Sequence, residues 1–240
     1  MIYLGKKQYF KLKKMESDIS TLYRNNVIEK KNHETIILFG INGVGKTSLL
    51  LQLTKNRFEK KYITTIGVNF YMKEYKNIRL SIWDTCGDEM EMQILPSHLY
   101  KQSSCFIIVL SYNSIESLNT CNNFIDYINH NIQKIKTKKK KTFIALINKS
   151  DCKDKTFSLD NAIKILREYD PNILVAEISA KNCENVLEFF LKVSDLLNEH
   201  KHKFSFDEQL IKNRGNTIFY SSNFKINDID NRSKKNKKCC

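Results

Sequence analysis

The segment Gly40-Ile41-Asn42-Gly43-Val44-Gly45-Lys46-Thr47 constrains this chain more than any other. It fits the pattern G-x-x-x-x-G-K-[ST], which needs a buried strand before it and a helix after it. Both neighbours are legible. Thr35 to Phe39 (TIILF) is a short apolar run ending at Gly40, and Thr47 to Leu53 has a helical pattern. In that setting consecutive backbone N–H groups turn inward to hold phosphate oxygens, and the helix N-terminus adds positive potential. Asn42, Gly43, Val44, Gly45, Lys46, Thr47 and Ser48 are therefore the candidate phosphate cradle. Lys46 is placed to reach β- and γ-phosphates. The Thr47 hydroxyl is a candidate ligand for Mg²⁺, a hard cation that prefers oxygen.

The remaining apolar runs extend this beginning into a fold. Cys105 to Leu110 (CFIIVL) and Thr142 to Ile147 (TFIALI) are continuous and suit central parallel strands, buried on both faces. Val68 to Tyr75 alternates and Ile78 to Trp83 is β-like, so the two predict a hairpin turning near Lys76-Asn77. Ile173 to Ile178 reads as a last strand. Phe124, Tyr127, Ile128, Ile132 and Ile135 recur at helical spacing, as do Ala162, Ile163, Leu166 and Tyr169, and Val186 to Leu197 closes the pattern as an amphipathic helix. Strands alternating with helices predict an α/β fold of the P-loop nucleotide-binding kind. It is a doubly wound, mostly parallel six-stranded sheet with one antiparallel edge strand and helices on both faces.

Three further motifs fall at the ends of these runs, where ligands sit in open α/β sheets. Asp84-Thr85-Cys86-Gly87 (DxxG) follows the strand ending at Trp83. It offers a carboxylate for Mg²⁺ and a flexible glycine for a γ-phosphate. Asn148-Lys149-Ser150-Asp151 (NKxD) follows TFIALI. An Asp side chain accepts from guanine N1–H and N2–H, a pair that adenine lacks, so Asp151 selects guanine. Ser179-Ala180-Lys181 follows the last strand and adds a second base-contacting loop, through the Ala180 backbone N–H. Each motif alone is compatible with an ordinary turn. Four in order, each at a strand end, point to one guanine-nucleotide site.

Thr35 to Asn198 resembles a whole small GTPase domain. Thr65-Ile66-Gly67-Val68-Asn69-Phe70 is similar to TIGVDF and Trp83-Asp84-Thr85-Cys86-Gly87 to WDTAG, both marks of the Rab branch. The resemblance implies that Thr65 binds Mg²⁺ and γ-phosphate and that Phe58 lies beside the guanine. It also implies that Phe70 and Trp83 belong to an effector-binding aromatic cluster, with core packing the alternative. The implied partners are effectors at the switch surface, an exchange factor, a GTPase-activating protein and an escort or GDP-dissociation-inhibitor protein, with the chain itself a monomer.

The resemblance breaks after Gly87. The family carries Gln there to orient the attacking water, and this chain carries Asp88. Asp is a methylene shorter, donates no hydrogen bond when ionised, and brings negative charge towards an anionic phosphate. Glu89-Met90-Glu91-Met92 replaces the usual start of the second switch. The candidate catalytic set is therefore Asp88, Lys46, Thr65 and Gly87, with intrinsic hydrolysis predicted slow. The alternative is a pseudo-GTPase that holds GTP as a non-cycling binding module. A P-loop ATPase or kinase is disfavoured by Asp151.

Composition sets the rest. The formal net charge is +14, and it sits in the ends: residues 1–33 hold eight Lys/Arg against three Asp/Glu, and 201–240 ten against four. These frame the predicted division into a basic extension (1–33), a GTPase domain (34–200) and a basic tail (201–240). No nucleic-acid polymer is expected as a partner. The seven cysteines form no CxxC pair, which argues against zinc and against a disulfide framework. The tail ends Lys237-Lys238-Cys239-Cys240; a terminal Cys-Cys resembles the Rab signal for double geranylgeranylation. Two lipid chains, or one with basic charge, give stable anchoring. The expected location is the cytosolic face of an endomembrane, with a soluble cytosolic pool.

Overall fold

The structure is a computed structural model that describes residues 32–61, 63–75, 78–88, 95–135, 137, 139, 141–199 and 219–220. The proposed turn at Lys76-Asn77, the stretch Glu89 to Met92, and Cys239-Cys240 lie outside the described residues.

The strands are β1 (Asn32–Phe39), β2 (Val68–Tyr75), β3 (Ile78–Thr85), β4 (Ser103–Ser111), β5 (Thr142–Asn148), β6 (Leu174–Glu177) and β7 (Phe219–Tyr220). They form one sheet in the order β2-β3-β1-β4-β5-β6-β7. β1 pairs parallel with β3 and β4, β4 with β5, and β5 with β6, while β2 runs antiparallel to β3 at one edge. This is the six-stranded sheet the apolar runs predict. The two-residue β7 adds a seventh, antiparallel to β6, from a tail that shows no core pattern in the sequence.

The sheet is buried on both faces, and β1 shows why. Ile36 and Leu38 face one core and Ile37 and Phe39 the other, all four fully buried. Period-two alternation of the apolar run from Ile36 to Phe39 requires a helical layer on each side. On the Ile36 side lie α1 (Lys46–Lys55), through Leu49, Leu50 and Leu53, and α6 (Val186–Glu199), through Phe189, Phe190, Val193 and Leu197. On the Phe39 side lie α2 (Ser97–Gln102), α4 (Cys121–Ile135) and α5 (Leu159–Tyr169), through Leu99, Phe124, Ile128, Ala162 and Leu166. None of the described helices is long and apolar enough to cross a membrane.

Two short helices escape a periodicity reading. α3 (Ile115–Asn119) is started by Ser114, whose side chain accepts from the Ser117 N–H. α2 is held from outside: Lys141 Nζ donates to the carbonyls of Tyr100 and Lys101 at 2.9 and 3.0 Å. A cation at a helix C-terminus satisfies orphan carbonyls and opposes the dipole. Six residues are too few to form a helix unaided.

Phe39, fully buried at the C-terminal end of β1, meets the rings of Tyr100, Phe106 and Phe124 at 6.3–6.4 Å. It joins the strand that feeds the phosphate loop to two helices. Phe39→Ala should lower unfolding free energy by about 3–5 kcal/mol, read from urea melts monitored by circular dichroism.

Candidate guanine-nucleotide site

The loop after β1 starts α1 without a side-chain cap. Gly45, at the N-cap, has φ +99°, and none of the α1 N-terminal N–H groups is claimed by a capping side chain. Those donors are left for a ligand. A Cβ on Gly45 would stand 2.3 Å from Asn148 Nδ2, so both conformation and space require glycine here. Lys46 is 5% exposed and donates to the carbonyls of Gly40 (2.7 Å) and Ile41 (3.0 Å). Burial brings its ammonium down to about 8, against the pull of Asp84.

Three oxygens from three segments meet beside Lys46. Thr47 Oγ1 donates to Asp84 Oδ2 at 2.7 Å and lies 2.8 Å from Thr65 Oγ1. Asp84 is fully buried, and its Oδ1 has no hydrogen-bond partner. Burial pushes its carboxyl up to about 6, with Thr47 and Lys46 pulling the other way. Gly87 (φ +91°) lies against the phosphate loop, where a Cβ would fall 2.6 Å from Lys46 Nζ and 2.8 Å from the Asn42 nitrogen. DxxG thus touches the first motif directly, with no room for any other residue at its glycine.

The base side is organised by Asn148, 2% exposed at the end of β5. Its Nδ2 donates to the Val44 carbonyl (2.9 Å), and its Oδ1 accepts from the N–H groups of Lys149 (2.7 Å) and Ala180 (3.1 Å). The Ala180 N–H, read from the sequence as a base contact, is here directed at Asn148. Lys149 bridges back to the phosphate loop, with Nζ donating to Gly43 O at 2.8 Å and to Asn113 Oδ1 at 3.1 Å. Asp151 Oδ1 accepts from Ser179 Oγ at 2.5 Å, and its Oδ2 lies 3.6 Å from Lys181 Nζ. Its carboxylate is therefore braced on one side by a hydroxyl and on the other by a charge.

These loops enclose one cleft of about 660 Å³. Gly43, Gly45, Lys46, Thr47, Ser48 and Thr65 line its phosphate end, and Phe58, Asn148, Lys149, Asp151, Ala180 and Lys181 its base end. Its size suits a nucleotide. Not all of the candidate residues line it. Val44 and Ser179 are buried behind it, and Asp84 sits beneath Thr47. Asn42 and Asp88 are exposed and lie outside its lining. Trp83 is 3% exposed and packs in the core, edge-on to the half-buried Phe70 at 5.2 Å between ring centroids. Sequence reasoning passes over Asn113. Its only signal is position, two residues past the end of β4.

The Ras family model matches residues 35–199. The chain belongs to the Ras family. Among this Ras-family protein's relatives, the GTP-binding protein ypt1 of Schizosaccharomyces pombe is 29% identical over 214 residues, covering 85% of this chain and 95% of that protein. The Ras-related protein SEC4 of Saccharomyces cerevisiae is 28% identical over 168 residues, 68% of this chain and 74% of that protein. The GTP-binding protein YPTC5 of Chlamydomonas reinhardtii is 36% identical over 102 residues, 41% of this chain and 49% of that protein. Within the Ras family the chain is a small GTPase of the Rab branch, a GTP-binding protein and GTP hydrolase.

Asn148→Ala would leave the Val44 carbonyl and the Ala180 N–H without their buried partner. We expect GDP release to accelerate at least tenfold and stability to fall by about 1–3 kcal/mol, measured with a fluorescent GDP analogue and by thermal melts.

Proposed function

We propose that this small GTPase is a Rab-type switch for intracellular vesicle and membrane traffic, cycling between GTP and GDP with slow intrinsic hydrolysis. The observation that carries the nucleotide reading is the convergence of four separated loops on one cleft, three of them tied together by Asn148. In this reading the GTPase domain is 34–200, flanked by a basic extension and a basic tail.

Mg²⁺ fits the donor set. Thr47, Thr65 and Asp84 offer hard oxygens, and the buried Asp84 Oδ1 lacks a partner. One carboxylate with two hydroxyls suits a Mg²⁺ that also takes phosphate oxygens and water. When bound, the ion supplies charge to stabilise the phosphates. The chain's own residues do the rest. Loop N–H groups and Lys46 hold phosphate oxygens, Thr65 and Gly87 read the γ-phosphate, Phe58 and Lys149 flank the base, and Asp151 accepts from its N–H pair. Loss of the γ-phosphate releases the two switches, and effectors lose the surface they read.

Asp88 makes the off-step slow in this reading. An exposed carboxylate cannot present the donor-and-acceptor pair that an amide offers an attacking water. A GTPase-activating protein that brings its own water-positioning group restores turnover. An exchange factor reloads GTP. An escort or GDP-dissociation-inhibitor protein maintains a soluble pool, and geranylgeranyl groups on Cys239 and Cys240, helped by the nearby lysines, hold the monomeric protein on the cytosolic face of an endomembrane. Mass spectrometry of protein from its native cells reads the lipids directly; unmodified cysteines would remove the membrane claim.

In single-turnover assays the Asp88→Gln variant should hydrolyse GTP at least tenfold faster than wild type. Equal rates would sink the assignment of Asp88, and GTP alone recovered from the purified protein would favour the non-cycling alternative. Asp151→Asn places an N–H₂ opposite the guanine N–H pair. GTP affinity should fall at least about 100-fold, and xanthosine triphosphate, with an acceptor at C2, should bind better than GTP. Competition binding measures both.

A further inference from the structure

The two edges of the sheet are finished differently. At one edge β2 is guarded by charge, with Lys73 and Glu74 interrupting its apolar residues. At the other, β6 is Leu-Val-Ala-Glu, its first three residues at most 7% exposed and its one charge, Glu177, confined to the last position. An apolar edge strand presents a row of free N–H and C=O groups and is a template for another strand. In this structure a segment of the same chain takes that place. β7 runs antiparallel to β6, with Val175 opposite Tyr220 and Ala176 opposite Phe219.

We infer that the outer edge of β6 is a strand-acceptor surface and that its occupant is this chain's own tail, through the segment around Phe219–Tyr220. Thr217-Ile218-Phe219-Tyr220 combines β-branched and aromatic residues, the types that favour strands. Gly215-Asn216 precedes it and Ser221-Ser222-Asn223 follows, so turn-forming residues bound it on both sides. Residues 200–218 connect the end of α6 to β7, nineteen residues, enough to span about 60 Å if extended. Recognition is through the main chain, as in strand addition by a peptide, but intramolecular. A two-residue ladder opens and closes below the threshold of global unfolding, so the tail is a reversible strap.

Docking moves the point from which the tail leaves the domain. It departs from the β6 edge, beside the strand that leads into Ser179-Ala180-Lys181, rather than from the end of α6. The twenty residues from 221 to 240 then reach at most about 70 Å, against about 140 Å for the forty-one from 200 to 240. That consequence rests on the membrane reading above. The docking itself does not, and its test uses unlipidated protein, so the two fail separately.

Hydrogen exchange on the full chain tests it. In the Phe219→Pro/Tyr220→Pro double variant the β6 amides that face β7 should exchange about tenfold or more faster than in wild type, while Ile144 to Ile147 in β5 keep their rates. Equal β6 rates in the two proteins would overturn the inference. Oxidation of the Ala176→Cys/Phe219→Cys and Val175→Cys/Tyr220→Cys variants gives a second reading. A disulfide between the introduced positions in either protein supports the register; linkage only to other cysteines, or none, overturns it.

Discussion

One buried side-chain amide ties the nucleotide site together. Asn148 reaches the phosphate loop through Val44 O and the second base loop through Ala180 N–H, contacts 104 and 32 residues away along the chain. Both of its polar atoms are used, and it sits where water cannot substitute for either partner. Gly45 has no side chain because the Asn148 amide occupies the space a Cβ would need. Lys149, following in sequence, repeats the tie from the opposite side through Gly43 O and Asn113. Such a network sets the distance between the phosphate cradle and Asp151, and therefore the length of ligand the cleft takes.

Around that frame the charges are held at some expense. Asp84 is fully buried and Lys46 nearly so, and burial moves each towards its neutral form. The Lys46 ammonium leans on loop carbonyls and the Asp84 carboxylate on the Thr47 hydroxyl. Neither arrangement replaces full hydration. A phosphate beside Lys46, with a cation beside Asp84, satisfies both groups. On the proposed reading, ligand binding would be coupled to local stability for that reason, most of all in the segments bearing Thr65 and Gly87.

The switch surface and the outer edge of the sheet lie at opposite ends of the strand order. β2 and β3 carry Phe70, Trp83 and Asp84 next to the first edge, while β6 and β7 form the other. A tail fastened at β6 leaves the β2–β3 face open to other proteins. Trp83 adds area to the core and Phe70 is half-buried against it, so what that face offers is set by packing as much as by exposure.

Phosphate binding uses consecutive N–H groups of one loop, so Gly40 to Thr47 announces itself in a single stretch of sequence. The same locality made DxxG and NKxD legible, and continuous apolar runs made β4 and β5 legible as central strands, because burial on both faces leaves no polar position between Cys105 and Leu110 or between Phe143 and Ile147. Contacts between segments have no such signature. Asn113 bracing Lys149, the Ala180 N–H turned to Asn148, Lys141 closing α2, and the pairing of Phe219–Tyr220 with β6 each join residues far apart in sequence. By itself the sequence determined the fold class and pointed to a guanine nucleotide and to the residues proposed to meet it. Only the tertiary structure decided which polar groups hold those residues in place, because a hydrogen-bond partner is chosen by proximity after folding and leaves no period or spacing to read beforehand.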